Sequence, residues 1–305
     1  MDKKTGHSFL EEPCSLCPRL CGAKRKLGES GECGADNTLQ VARAALHYWE
    51  EPPISGIRGS GTVFFSNCSL KCRFCQNSSI SRGMVGKAVS VKRLAEMFID
   101  LQGQGAHNIN LVTPTHYVEQ IVEALDMARH SQPALSIPIV YNTSGYELVT
   151  TIKRLADYID IYLTDFKYAS SELAERYSSA PDYPEIALNA LREMVALQSE
   201  YQTDENGILQ KGVIVRHLIL PGHLKDSKFV LKRVFSEVGN QICYSLMNQY
   251  TPMPDSPPQL QRTLSESEYA ELIDFALDLG ITNSFMQEGG TAEESFIPPF
   301  DLSGV

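Results

Sequence analysis

Thr62-Val63-Phe64-Phe65-Ser66-Asn67-Cys68-Ser69-Leu70-Lys71-Cys72-Arg73-Phe74-Cys75 is the stretch from which the rest of the chain can be read. Its first half is a brief apolar run, as expected of a strand covered on both faces. Its second half spaces three cysteines as C-x3-C-x2-C on the loop leaving that strand's carboxyl end. Three thiolates this close can hold three irons of a cubane cluster and leave the fourth without a protein ligand. An open iron can bind the amino and carboxylate groups of a small molecule, whereas a structural metal site closes its shell. The competing reading is zinc completed by a distant histidine, but no His lies at ligand spacing downstream.

Working outward, five more apolar runs follow: Asn108–Val112, Ile137–Tyr141, Ile159–Thr164, Val213–Leu220 and Ile242–Met247. Helical patterns separate them. Leu94, Met97, Phe98 and Leu101 share one face, as do Ile121, Val122 and Leu125. The last helix opens on a capping box, Ser265 with Glu268, and stops at Gly280. Its apolar stripe reads Tyr269, Leu272, Ile273, Ala276 and Leu277. Strands alternating with helices imply an α/β fold with a parallel sheet and right-handed crossovers. Six strands predict a partial (β/α)6 TIM-like barrel, with an open doubly wound sheet as the alternative. In both, ligands sit at the carboxyl ends of the strands. Gly56-x2-Gly59-x-Gly61 precedes a strand and so is not a nucleotide fingerprint.

Upstream lies a second cysteine group, Cys14-x2-Cys17-x3-Cys21-x11-Cys33, in a loop-built stretch with glycines at 22, 28, 31 and 34. Four thiolates make a full tetrahedral set, which zinc and an iron–sulfur cluster both accept. The organisation expected is a cysteine-rich metal-binding module and connector over 1–50. The barrel follows over 51–305, with Ser295–Asp301 as a strap across it and Gly289-Gly290 in a loop. Cys243, in an apolar strand, reads as a small buried hydrophobe.

The 305 residues carry 43% apolar and 21% charged residues, enough for a real core. A formal net charge of −10 disfavours a nucleic-acid partner, which needs clustered Lys and Arg. The one basic run, Lys24-Arg25-Lys26, reads as a solvated face. Met1–Pro13 has no apolar leader and no run of about 18 apolar residues occurs, so neither secretion nor a membrane is expected. Seven of the eight cysteines fall in two tight groups. In a reducing cytoplasm such groups read as metal sites before disulfides.

The triplet, with Phe74 just before its last cysteine, resembles the hallmark of the radical S-adenosylmethionine superfamily. Phe64-Phe65 before the loop and Cys75-Gln76-Asn77 after it resemble the pyruvate formate-lyase-activating-enzyme-like branch. The resemblance implies a 4Fe–4S cluster on Cys68, Cys72 and Cys75, with Phe74 near the adenine of S-adenosylmethionine. It implies cofactor contacts at Thr113 and Thr115 of Thr113-Pro114-Thr115-His116, where the family carries a Gly-Gly-Glu-type segment. Asn142-Thr143-Ser144-Gly145 and Asp165-Phe166-Lys167 resemble segments that touch the cofactor and, in some members, a monovalent cation. The family has Asp where Asn142 stands. Arg216 matches an arginine near the methionine carboxylate. His116 and His217 are either donors near the substrate or structural histidines. The resemblance further implies reductive cleavage to a 5′-deoxyadenosyl radical and a flavodoxin- or ferredoxin-type reductant. The substrate it implies is a glycine backbone of a glycyl radical enzyme. Radical modification of a small molecule or peptide, and a non-catalytic iron–sulfur or zinc redox protein, are the alternatives.

Overall fold

Ten strands make one sheet in the computed structural model, which describes residues 13–254, 256–286 and 298–305. Residues 1–12, the Gly289-Gly290 pair and the first part of the expected strap lie outside the described residues. The strands are β1 (Gln40–His47), β2 (Ser60–Phe65), β3 (Lys87–Ala88), β4 (Ile109–Val112) and β5 (Ile139–Thr143). They continue as β6 (Ile161–Asp165), β7 (Gln202–Thr203), β8 (Leu209–Leu218), β9 (Cys243–Met247) and β10 (Ser284–Met286). All six strands expected from the apolar runs are present.

The sheet runs in the order β10-β9-β8-β6-β5-β4-β2-β1-β3, with β7 paired to β8. From β2 to β10 every neighbour is parallel, and β1 and β3 are antiparallel additions at one edge. The parallel strands follow sequence order without a reversal, so no switch point divides the sheet. This is a partial TIM-like barrel and not a doubly wound sheet.

Alternation along the strands explains the interior. On one face Val140, Ile161, Leu163, Ile214 and Cys243 pack with Ile54 as an apolar floor. One step further along the same face, Asn142, Asp165 and Arg216 line a cavity at the carboxyl ends. The opposite face, including Tyr141, Tyr162, Val213, Val215, Tyr244 and Leu246, belongs to the larger core shared with the helices. Cys243 is thus a floor residue, as expected.

The helix Val91–Gly103 buries Leu94, Met97, Phe98 and Leu101, and Val118–Arg129 buries Ile121, Val122 and Leu125. The helix Glu266–Leu279 carries the Ser265/Glu268 capping box and ends at left-handed Gly280. Its buried stripe is narrower than expected: Leu272 and Ala276 are buried, whereas Leu277 is exposed. No described helix is long and apolar enough to cross a membrane.

The N-terminal segment is welded to the barrel. Cys14, Leu16, Cys33, Ala35 and Leu39 share the main core, and β1 continues the sheet. Arg25 is a correction to the solvated basic run. It is 1% exposed, donates from Nη2 to the Asp36 carbonyl at 2.6 Å, and lies over the Tyr117 ring. At the other end residues 300–303 lie along β1 and β2. Leu302 N donates to Ala42 O at 3.2 Å, Ala44 N to Ser303 O at 2.9 Å, and Phe300 packs edge-on to Phe64.

Candidate active site

The cavity at the carboxyl ends is walled on one side by the triplet loop. Asn67 and Lys71 both take left-handed backbone angles, φ 77° and 49°, which fold the loop tightly enough for Cys68, Cys72 and Cys75 to line one space. The Leu70 amide donates to Cys68 Sγ at 3.4 Å and the Ser178 hydroxyl to Cys72 Sγ at 3.3 Å. Burial, and then the neighbouring Cys72 and Cys75, push the Cys68 thiol up to about 12. Burial and then Cys72 likewise raise the Cys75 thiol, so thiols this close call for a cation among them. Each thiolate of such a triplet can bind a separate iron of a cubane, so the donor set fits a cluster.

Phe74 is buried against the edges of Tyr168, Tyr177 and Tyr250, at centroid distances of 6.3, 6.1 and 6.3 Å. These contacts fix its ring in the cavity wall.

The opposite wall is an ion network. Arg216 donates from Nε to Asp165 at 2.9 Å, from Nη1 to Glu50 at 3.1 Å and from Nη2 to Asn142 at 2.7 Å. Lys167 reaches Asp165 at 2.6 Å. Parallel register sets this up by placing Asp165 on β6 directly beside Arg216 on β8. Burial raises the Asp165 pKa, but Arg216 and Lys167 outweigh it and hold the carboxyl below its usual range. Burial lowers Lys167, yet Asp165 and then Cys72 hold it protonated, so its ammonium faces both the ion network and the triplet.

Glu50 and Glu51 were not singled out from sequence, where they stood in a connector. Glu50 lines the cavity, and burial pushes Glu51 up to about 7 against the pull of Arg216. Three carboxylates, Glu50, Glu51 and Asp165, thus face two cations. Their only sequence signal is two adjacent acids between apolar segments.

Of the expected cofactor contacts, Phe74, Thr113, Asn142, Asp165, Lys167 and Arg216 line this one cavity. Thr113 does so in a left-handed conformation, φ 59°, which suits glycine. Thr115 does not reach the cavity. A 3-10 turn over Thr115–Tyr117 carries it into the core, where its hydroxyl donates to Glu147 at 2.6 Å. The histidines are structural: His116 bonds the Ser66 carbonyl and His217 the Phe166 carbonyl. Burial pushes them down to about 3 and about 4, so both are neutral.

Residues 62–223, more than half of the chain, match the family described as the Radical SAM superfamily. An uncharacterized protein of Methanocaldococcus jannaschii is 29% identical over 279 residues, covering 86% of this chain and 74% of that one. Streptococcus suis SuiB bound to S-adenosylmethionine aligns at 12% identity and TM-score 0.44, over 69% of this chain and 42% of its own. A domain of pyruvate-formate lyase-activating enzyme from Bacteroides vulgatus aligns at 15% identity and TM-score 0.36, over 65% of this chain and 91% of its own.

Proposed function

The chain belongs to the Radical SAM superfamily, and from that premise we propose that it binds a 4Fe–4S cluster on Cys68, Cys72 and Cys75 and S-adenosylmethionine in the cavity beside it. The observation that carries this reading is the convergence of three thiols and the Asp165–Lys167–Arg216 network on one cavity at the strand ends. When bound, the cluster supplies the electron that cleaves S-adenosylmethionine to methionine and a hydrogen-abstracting 5′-deoxyadenosyl radical.

The chain's own residues bind, orient and shield. Phe74 offers a fixed ring to the adenine. Thr113 and Asn142 offer polar groups, and the Lys167 ammonium balances thiolate charge. Arg216 is held by Asp165, Glu50 and Asn142, so a methionine carboxylate joins a guanidinium already oriented for it. Arg216 also bridges Asn142 and Asp165, the positions likened above to a cation site.

The branch-level likeness of Phe64-Phe65 and Cys75-Gln76-Asn77 supports a glycine backbone of a partner enzyme as substrate, with a flavodoxin- or ferredoxin-type reductant in the cytoplasm.

Anaerobic reconstitution, reduction and addition of S-adenosylmethionine test the reading. Release of 5′-deoxyadenosine is the expected result, and none from a fully loaded cluster overturns it. Cys72→Ala is expected to lose that cluster and the cleavage together, read by iron content and by chromatography. Surviving cleavage removes Cys72 from the ligand set.

A further inference from the structure

Ser178, the last residue of the helix Ser171–Ser178, turns its hydroxyl onto the triplet loop. A helical serine commonly bonds back to a carbonyl of its own preceding turn. Ser178 Oγ instead meets Cys72 Sγ at 3.3 Å and Tyr168 Oη at 2.8 Å. A ligating thiolate has no hydrogen to give. The single Ser178 hydrogen therefore points at the sulfur, and the Tyr168 hydroxyl donates to Ser178. Ser178 is 4%, Tyr168 0% and Cys72 8% exposed, so water does not compete for these bonds.

Both donors are held in place by groups around the same loop. Tyr168 follows Lys167 past the end of β6. Its ring packs edge-on to Phe74 and Tyr183, at centroid distances of 6.3 and 5.3 Å. The turn Tyr177-Ser178-Ser179 is clamped to the triplet: Arg73 N donates to Tyr177 O at 2.8 Å. Arg19 spans the gap, donating from Nη2 to Ser178 O at 2.8 Å, from Nη1 to Ser179 O and from Nε to Ser69 O at 2.9 Å. Ser179 is kept left-handed, φ 47°, a conformation that persists in a residue with a side chain where its surroundings fix it.

We propose that Ser178 and, behind it, Tyr168 are positioning residues that set the reduction potential of the cluster on Cys72. A hydroxyl donating to a cluster sulfur draws charge off it and stabilises the electron-richer reduced state. Tyr168, by donating to Ser178, polarises that hydroxyl and strengthens its bond to the sulfur. Cys68 takes its donor from the backbone, the Leu70 amide at 3.4 Å, which no side-chain change removes. Cys72 is thus the ligand whose charge a side chain adjusts. Reduction adds one electron to the cluster, and no proton leaves Ser178 or Tyr168. This role rests on the triplet carrying the cluster proposed above.

Redox titration of anaerobically reconstituted full-length protein, followed by electron paramagnetic resonance of the reduced cluster, tests the role. Ser178→Ala is expected to load as much iron as the wild type and to titrate at a more negative potential. Ser178→Thr keeps the hydroxyl and is expected to return the potential towards the wild-type value. Tyr168→Phe keeps the ring and is expected to shift the potential the same way by less. A loaded S178A with the wild-type potential overturns the proposal. So does an S178T shifted as far as S178A, since packing and not the hydroxyl would then be responsible. Should S178A fail to fold or to load, Y168F decides, and an unchanged potential there overturns the proposal. Loss of 5′-deoxyadenosine release with these shifts intact counts against the function proposed above and leaves the tuning standing. Equal potentials in a protein that does release it count against the tuning alone.

Discussion

Asp165 anchors both cations of the cavity wall, so its charge sets whether Arg216 and Lys167 can stay buried there. Asp165→Asn keeps the shape and removes the charge. Breaking a buried pair from one side typically costs roughly 3–5 kcal/mol, because the partner charges are left uncompensated. The expected outcome is an unfolding free energy in urea lower by that order and weaker S-adenosylmethionine binding in calorimetry. A stability unchanged from wild type would mean that solvent, not Asp165, compensates the two cations. This residue, like Lys167 and Arg216, was legible in the sequence through its resemblance to segments of the family. Glu50 was not. Its partner lies on β8, and only the curl of the sheet brings the connector against it. Thr115 lies apart from the other expected contacts for a local reason. It stands two residues past Thr113, which lines the cavity, but a single 3-10 turn carries it into the core.

Elements were legible in proportion to their burial on two faces. The six runs read as strands are central and apolar, and all pair in parallel. Those missed are β1, whose alanines give little pattern, and the short β3, β7 and β10 of two or three residues. Such segments pair because a neighbour offers an edge, not because of their own propensity. Turns between elements carry constraints as sharp as those of the strands. Gly145, just past β5, has φ 79°, and a Cβ there would lie 2.3 Å from the Asp165 carbonyl oxygen. Gly145→Ala must therefore move backbone at the cavity rim. The left-handed conformation alone costs roughly 1–3 kcal/mol for a side-chain-bearing residue. Chemical denaturation is expected to show at least that loss, and a neutral result would mean the rim yields freely.

At the scale of the whole molecule, Glu147 sits where the barrel core meets the N-terminal segment. Thr115 and Thr143 both donate to Oε1, and its other oxygen is buried without a partner. Thr151, four residues on, donates to the Leu16 carbonyl at 2.8 Å, tying the segment to the barrel beside it. Nothing in the sequence near Glu147 marks it as buried, since its environment is assembled from three other strand ends and turns. Burial raises its carboxyl from 4.5 to about 7, against the Thr115, Thr143 and Tyr141 hydroxyls that favour the ionised form. A raised carboxylate pKa means that the folded state holds the proton more tightly than the unfolded chain. Stability from this group is therefore full below about pH 4.5 and falls as pH rises towards 7. Across that window the loss amounts to roughly 3 kcal/mol. Glu147→Gln stays neutral at every pH and keeps an oxygen for the threonines. The melting temperature of E147Q relative to wild type is expected to climb between pH 5 and 8, followed by circular dichroism at several pH values. Glu51, also raised to about 7, leaves its own pH dependence in both proteins and cancels in the difference. Parallel melting profiles would show that Glu147 reaches water and that the junction between segment and barrel is wetter than its packing implies.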